Sequence, residues 1–182
     1  VTTSGGLGPS ALGCESASGN ATDADSDGIS VSRVVTFNCP AYVNGTDTWS
    51  ISGTIEAKDK NDTGGAASRG LFGGYSIVLD LASTWKTGSG TDLAYTTKGL
   101  FEASASGSTS TFVSQYKTHF IGVQSAYGQL FEINYKFQTN FTVQYTALSA
   151  STGNVSIEGL LGIDGQFPEG GELKKAKANM IV

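Results

Sequence analysis

Between Phe131 and Ala147 the chain carries a period of two. Phe131, Ile133, Tyr135, Phe137, Phe141, Val143, Tyr145 and Ala147 fall on odd positions. Glu132, Asn134, Lys136, Gln138, Asn140, Thr142, Gln144 and Thr146 fall between them. Alternate residues on a helix point about 200° apart, so no helix can gather these apolar side chains on one face. The stretch predicts one long bent strand, or two joined without a turn signal, with one face buried and the other wet.

The same period recurs along the chain. Val31, Val35, Phe37 and Cys39 share a face that Arg33 interrupts, and Asn44-Gly45 then signals a hairpin. Trp49, Ile51, Gly53, Ile55 and Ala57 form the next face, followed by a polar loop over 58–70. Tyr75, Ile77, Leu79 and Leu81 alternate with Trp85 in phase, and Leu93, Tyr95, Phe101 and Ala103 follow. Val155, Ile157, Leu161 and Ile163 give one more strand, and Ala176, Ala178, Met180 and Val182 a last one. That last strand competes with a short helix over 169–178. Residues 110–123 are apolar on both faces, with Phe112, Tyr116 and Phe120 on one and Val113, Ile121 and Val123 on the other. Such a strand lies centrally in a sandwich or meets another subunit.

Eight or nine strands linked mostly by short turns predict an all-β fold. The expected form is a single antiparallel β-sandwich, jelly-roll or meander-like, with a closed β-barrel as the alternative. No linker or internal repeat divides the chain, so residues 1–182 read as one domain. Residues 1–28 read as an extended loop segment, rich in turn formers. Composition agrees. Charged residues are 15%, and Ser, Thr and 25 Gly take their place, a mix suited to strands and tight turns rather than long helices.

Charge excludes one class of partner. The formal net charge is −5. Lys174, Lys175 and Lys177 make one short basic run, too little for a nucleic-acid surface. No apolar run reaches the ~18 residues of a membrane-spanning helix. The two cysteines, Cys14 and Cys39, are expected to form a disulfide that staples the N-terminal segment to the first firm strand. Five Asn-X-Ser/Thr sites, at Asn20, Asn44, Asn61, Asn140 and Asn154, fit an exported chain that carries glycans where the machinery exists.

Catalytic chemistry is hard to assemble. His119 is the single histidine; it sits mid-strand with no Gly-x-Ser-x-Gly elbow, and reads as structural. One histidine and two paired cysteines cannot make a zinc site. Glu56, Glu102, Glu132 and Glu158 all fall on the phase opposite to the apolar face, as solvated residues would, although a carboxylate pair on a concave face would suit a glycosidase. Asp23, Asp25 and Asp27, followed by Gly28, resemble the first half of an EF-hand loop over six residues. The resemblance implies structural Ca²⁺; Val34 stands where such a loop has its bidentate Glu. Trp49 and Trp85 are in phase with core residues. Tyr42, Phe72 and Tyr127, near turns, are better placed to stack on a sugar.

These readings favour a non-enzymatic structural protein of the extracellular space or cell surface: a subunit of a pilus-like filament, surface layer or adhesin. Self-association by strand donation between copies is the expected partner interaction. The alternative is a calcium-stabilised carbohydrate-binding module of a secreted protein.

Overall fold

The computed structural model describes residues 13–24, 26, 29–60, 74–149, 152–169 and 171–181. Nine strands follow one another: β1 (Glu15–Asn20), β2 (Ser32–Asn44), β3 (Asp47–Asp59), β4 (Tyr75–Lys86), β5 (Asp92–Ser106), β6 (Thr109–Ala126), β7 (Gln129–Ala147), β8 (Gly153–Glu169) and β9 (Glu172–Ile181). They form one antiparallel sheet in the order of the sequence, β1 to β9. The all-β antiparallel meander is therefore as expected. The sheet is open: β1 and β9 are its two edges, so the closed barrel is not the form adopted.

The expected long alternating stretch is a single 19-residue strand, β7. At a rise of about 3.3 Å per residue it extends roughly 60 Å. Two expectations change. The N-terminal segment is not all loop, because β1 pairs with β2 from Glu15 opposite Phe37 to Asn20 opposite Ser32. Between the rival readings of 169–178 the strand wins: β9 pairs with β8 from Glu172 opposite Glu169 to Ile181 opposite Leu160. The sheet edge offers alternate residues of β9 a pair of backbone hydrogen bonds to β8, whereas a short helix beside two glycines has a costly nucleus.

Register sorts the side chains into two faces. One row runs Tyr95, Phe120, Tyr135 and Gly165 across β5 to β8, and the next holds Thr97, Thr118, Phe137 and Ile163. Across β3 to β8 this face carries charge only at strand ends, at Asp47, Asp59 and Glu169. The opposite face holds Glu56, Asp80, Lys98, Glu102, Lys117, Glu132, Lys136, Glu158 and Asp164. We refer to them as the aromatic face and the charged face.

Burial on the aromatic face has an unusual distribution. Ser114 and Thr118 are each 3% exposed and Ala103 is fully buried, whereas Trp85 stands 41% exposed. Small side chains are hidden by large neighbours within the same sheet. Gly99 shows the arrangement: a Cβ there would meet the rings of Phe101 and Tyr116 and the Leu79 side chain at 3.2–3.4 Å. Aromatic pairs supply the roof. Tyr95, Phe120 and Tyr135 stack in series with centroids 5.4 and 4.6 Å apart. Phe101, Tyr116 and Phe137 cross the same strands diagonally at 6.3 and 6.1 Å. Each such pair contributes about 0.5–1.5 kcal/mol beyond its buried area. Beneath them the Thr97 and Thr118 hydroxyls hydrogen-bond at 3.2 Å, so neither is buried unsatisfied.

Two glycines bend long strands. Gly53 (φ +120°) and Gly122 (φ +138°) sit mid-strand where a Cβ would collide with the backbone carbonyls of Asp80 and Asp92. Only glycine fits both the dihedral and the approach. We expect Gly53→Ala and Gly122→Ala each to lower the unfolding free energy by about 1–3 kcal/mol in urea titrations. Gly107→Ala, in a turn with open space around it, should cost only about 1 kcal/mol.

Candidate functional site

The residues singled out for chemistry do not converge. His119 lies on the charged face, and its Nε2 is 2.7 Å from Asn134 Oδ1. The ring is thus held by an amide on the next strand. Glu56 pairs with Lys58 at 2.7 Å and Glu102 with Lys60 at 2.7 Å. Glu102 and Glu158 share one row through Val113 and Thr142, three strands apart. At about 4.8 Å per strand that is roughly 14 Å between backbones, outside the ~5–9.5 Å of glycosidase carboxyl pairs. Glu132 lies opposite Val123, ten residues along β6 from the Val113 that faces Glu102.

Metal ligands are also dispersed. Among the described residues the one cluster of three candidate ligands is Cys14, Glu15 and Cys39. The two cysteines form a disulfide with Cα atoms 4.9 Å apart, which removes both thiolates. Asp23 precedes the turn into β2; Asp25, Asp27 and Gly28, and with them most of the calcium motif, lie outside the described residues. Val34, at the bidentate position of such a loop, is a β2 residue opposite Ser18 and Glu56.

The disulfide is where the sequence placed it. It ties residue 14, just ahead of β1, to β2, and the Asn38 N–H donates to the Cys14 carbonyl at 3.2 Å. Disulfides persist outside the reducing cytoplasm, so this one fits a chain that folds in an oxidising compartment. No helix among the described residues is long and apolar enough to cross a membrane. Asn20, Asn44, Asn140 and Asn154 are all exposed, and Asn61 lies outside the described residues. Asn20, Asn140 and Asn154 are on the charged face by register, while Asn44 ends β2 at the hairpin.

What the fold does concentrate is aromatic surface. Trp49 and Trp85 are opposite each other and, with Tyr95, line a hollow of about 390 Å³ on the aromatic face. Trp85 was expected inside by its phase. Phase fixes the face but not the cover, and the described strands place nothing over this corner. A second hollow of about 530 Å³ is lined by Tyr116, Phe120, Tyr135, Phe137 and Ile163, with Thr118 and Gln124. Burial raises the Tyr135 phenol above its ordinary pKa. Tyr42 and Tyr127 are exposed, as expected, and Phe72 lies outside the described residues. They occupy distant corners, Tyr42 beyond a bulge in β2 and Tyr127 in the β6–β7 turn, and so make no common platform.

The second concentration is at the sheet edges. β1 covers β2 only from Ser32 to Phe37, leaving the β2 stretch from Pro40 to Asn44 without a β1 partner. Pro40 sits in the register shift between Cys39 and Tyr42; a proline there has no N–H to offer. At the far edge, β9 carries Lys174, Lys175 and Lys177. Comparison with known protein families, curated proteins and solved structures finds no match to this chain. The architecture that can be stated is thus an open, two-faced β-meander stapled by a disulfide.

Two outcomes follow. Replacing Cys14 and Cys39 with serine should lower the unfolding free energy by about 3 kcal/mol, the chain-entropy value for a loop of 25 residues, measured by urea denaturation. Glu56→Gln and Glu102→Gln should each change it by less than about 1 kcal/mol, since their ion pairs are solvent-exposed.

Proposed function

We propose that this chain is a non-enzymatic structural subunit of an extracellular or cell-surface assembly, joined to its copies through the edges of its sheet. The observation that supports this reading above all is the open meander. A sheet whose first and last strands have no partner on their outer side among the described residues presents backbone donors and acceptors at both sides. In a lone monomer such edges invite aggregation; in a polymer they are the joints.

The charges on the edges favour one arrangement. In the sequence β9 includes Lys174, Lys175 and Lys177, whereas the stretch 15–27, which begins with β1, includes Glu15, Asp23, Asp25 and Asp27. Pairing β9 with β9 would set like charges against each other, which costs stability. Pairing β9 of one copy with β1 of the next joins opposite charges. That contact is head-to-tail, and head-to-tail contacts that do not close grow into filaments. Strand donation is one way to make it. The exposed sequons and the disulfide suit the outside of the cell.

Negative-stain imaging of secreted material, with sedimentation at low and high salt, tests the reading. We expect filaments or ribbons that shorten as salt rises. The combined variant Lys174→Glu, Lys175→Glu, Lys177→Glu should weaken association by about 10–100-fold, the worth of three exposed charge pairs. Material that stays as single chains or isolated pairs at every salt concentration rules the proposal out.

A further inference from the structure

We infer that the aromatic face is a second, separate contact, covered by the aromatic face of another copy of this chain. The first argument is area. A standard stable interface removes about 800 Å² from each partner. The five strands β4 to β8, each at least 12 residues long and spaced about 4.8 Å apart, give the aromatic face a footprint of roughly 24 by 40 Å, enough for such a contact.

The second argument is where apolar side chains stand. On the aromatic face Trp85 is 41% exposed, Ile163 38%, Ile157 49%, Val155 62% and Met180 54%. Only six hydrophobic residues among those described are fully buried, and the cluster of Leu93, Phe131 and Ile133 is the main one. A chain of this length ordinarily buries far more, because a sheet with one apolar face needs a layer against it.

The third argument selects the occupant. A two-fold contact places a surface against itself, so any charge meets its own kind. From β3 to β8 the aromatic face holds charge only at strand ends. It also offers both halves of a fit, the 530 Å³ hollow around Tyr116 and Phe137 and the projecting Val155 and Ile157. Asn20, Asn140 and Asn154 are all on the charged face and Asn44, opposite Asp47, lies at a corner of the aromatic face, so glycans on them leave the middle of that face bare. Two open sheets packed this way make a sandwich from two chains, with inner faces about 10 Å apart.

The face contact and the edge contact are tested apart. The chain bearing Lys175→Glu and Lys177→Glu, which by register lie off the aromatic face, weakens edge growth, and its mass is followed by sedimentation velocity from about 0.1 to 100 µM. We expect a monomer–dimer transition. Both tryptophans lie on the aromatic face, so their emission should shift to the blue, and acrylamide quenching should fall by about half, over the same range. Adding Ile157→Lys and Ile163→Lys, two outward positions, should leave the circular dichroism and urea midpoint unchanged and weaken the dimer at least about 100-fold, as burying unpaired lysines does. A charge-reversed chain that stays monomeric throughout overturns the inference, as does a dimer that survives both lysines. Flotation with phosphatidylcholine vesicles in place of dimerisation also overturns it, by making lipid the occupant. Filament loss is read on the wild-type chain, so either contact can fail without the other.

Discussion

The aromatic ladder across β5, β6 and β7 is what allows a sheet this wide to hold its shape. In a sandwich the opposite layer buries the inner face. Here Tyr95, Phe120 and Tyr135 stack along one row while Phe101, Tyr116 and Phe137 lean diagonally over small residues in the rows beside it. Ser114, Thr97 and Thr118 are buried although the described strands form a single layer. Cross-strand pairs, rather than layer packing, thus supply much of the order. Such a sheet is held together in its own plane and left unsatisfied out of it.

That division organises the rest of the molecule. Most of the charges and three of the five sequons collect on the face that water already solvates, where exposed pairs such as Lys98 with Asp80 add little stability but keep the surface wet. Large apolar groups collect on the other face. The disulfide fixes the short β1 against β2, where six residues of pairing alone would hold it weakly. Among the described residues both edges and one face of the sheet are left uncovered, and the proposed role uses all three.

Much of this was legible in the sequence because a period of two survives any packing. The alternation from Phe131 to Ala147 gave the face of every β7 residue, and the phases of Glu56, Glu102, Glu132 and Glu158 placed all four carboxylates on the charged side. β1 was missed because Glu-Ser-Ala-Ser-Gly-Asn has no apolar rhythm; its pairing with β2 and the nearby disulfide specify it. The exposure of Trp85 was missed for a different reason. Phase reports which side a residue takes, and only the complete arrangement shows whether anything lies there. The two-faced pattern of 110–123 belongs to β6, a central strand, and Ile121 is 48% exposed on its charged side. The basic run of Lys174, Lys175 and Lys177 was visible; that it belongs to an edge strand required the topology.

The strict sequence order of the strands has a kinetic consequence. Every substantial contact between strands joins neighbours along the chain. Loop closure is then cheap at each step, and the sheet can grow one hairpin at a time as the polypeptide is released. Its cooperativity resembles that of a repeat array, where each unit is stabilised mainly by the one beside it. For such an object the last strand of one molecule and the first of the next differ little from any internal pair, so assembly would be folding carried on past the end of the chain.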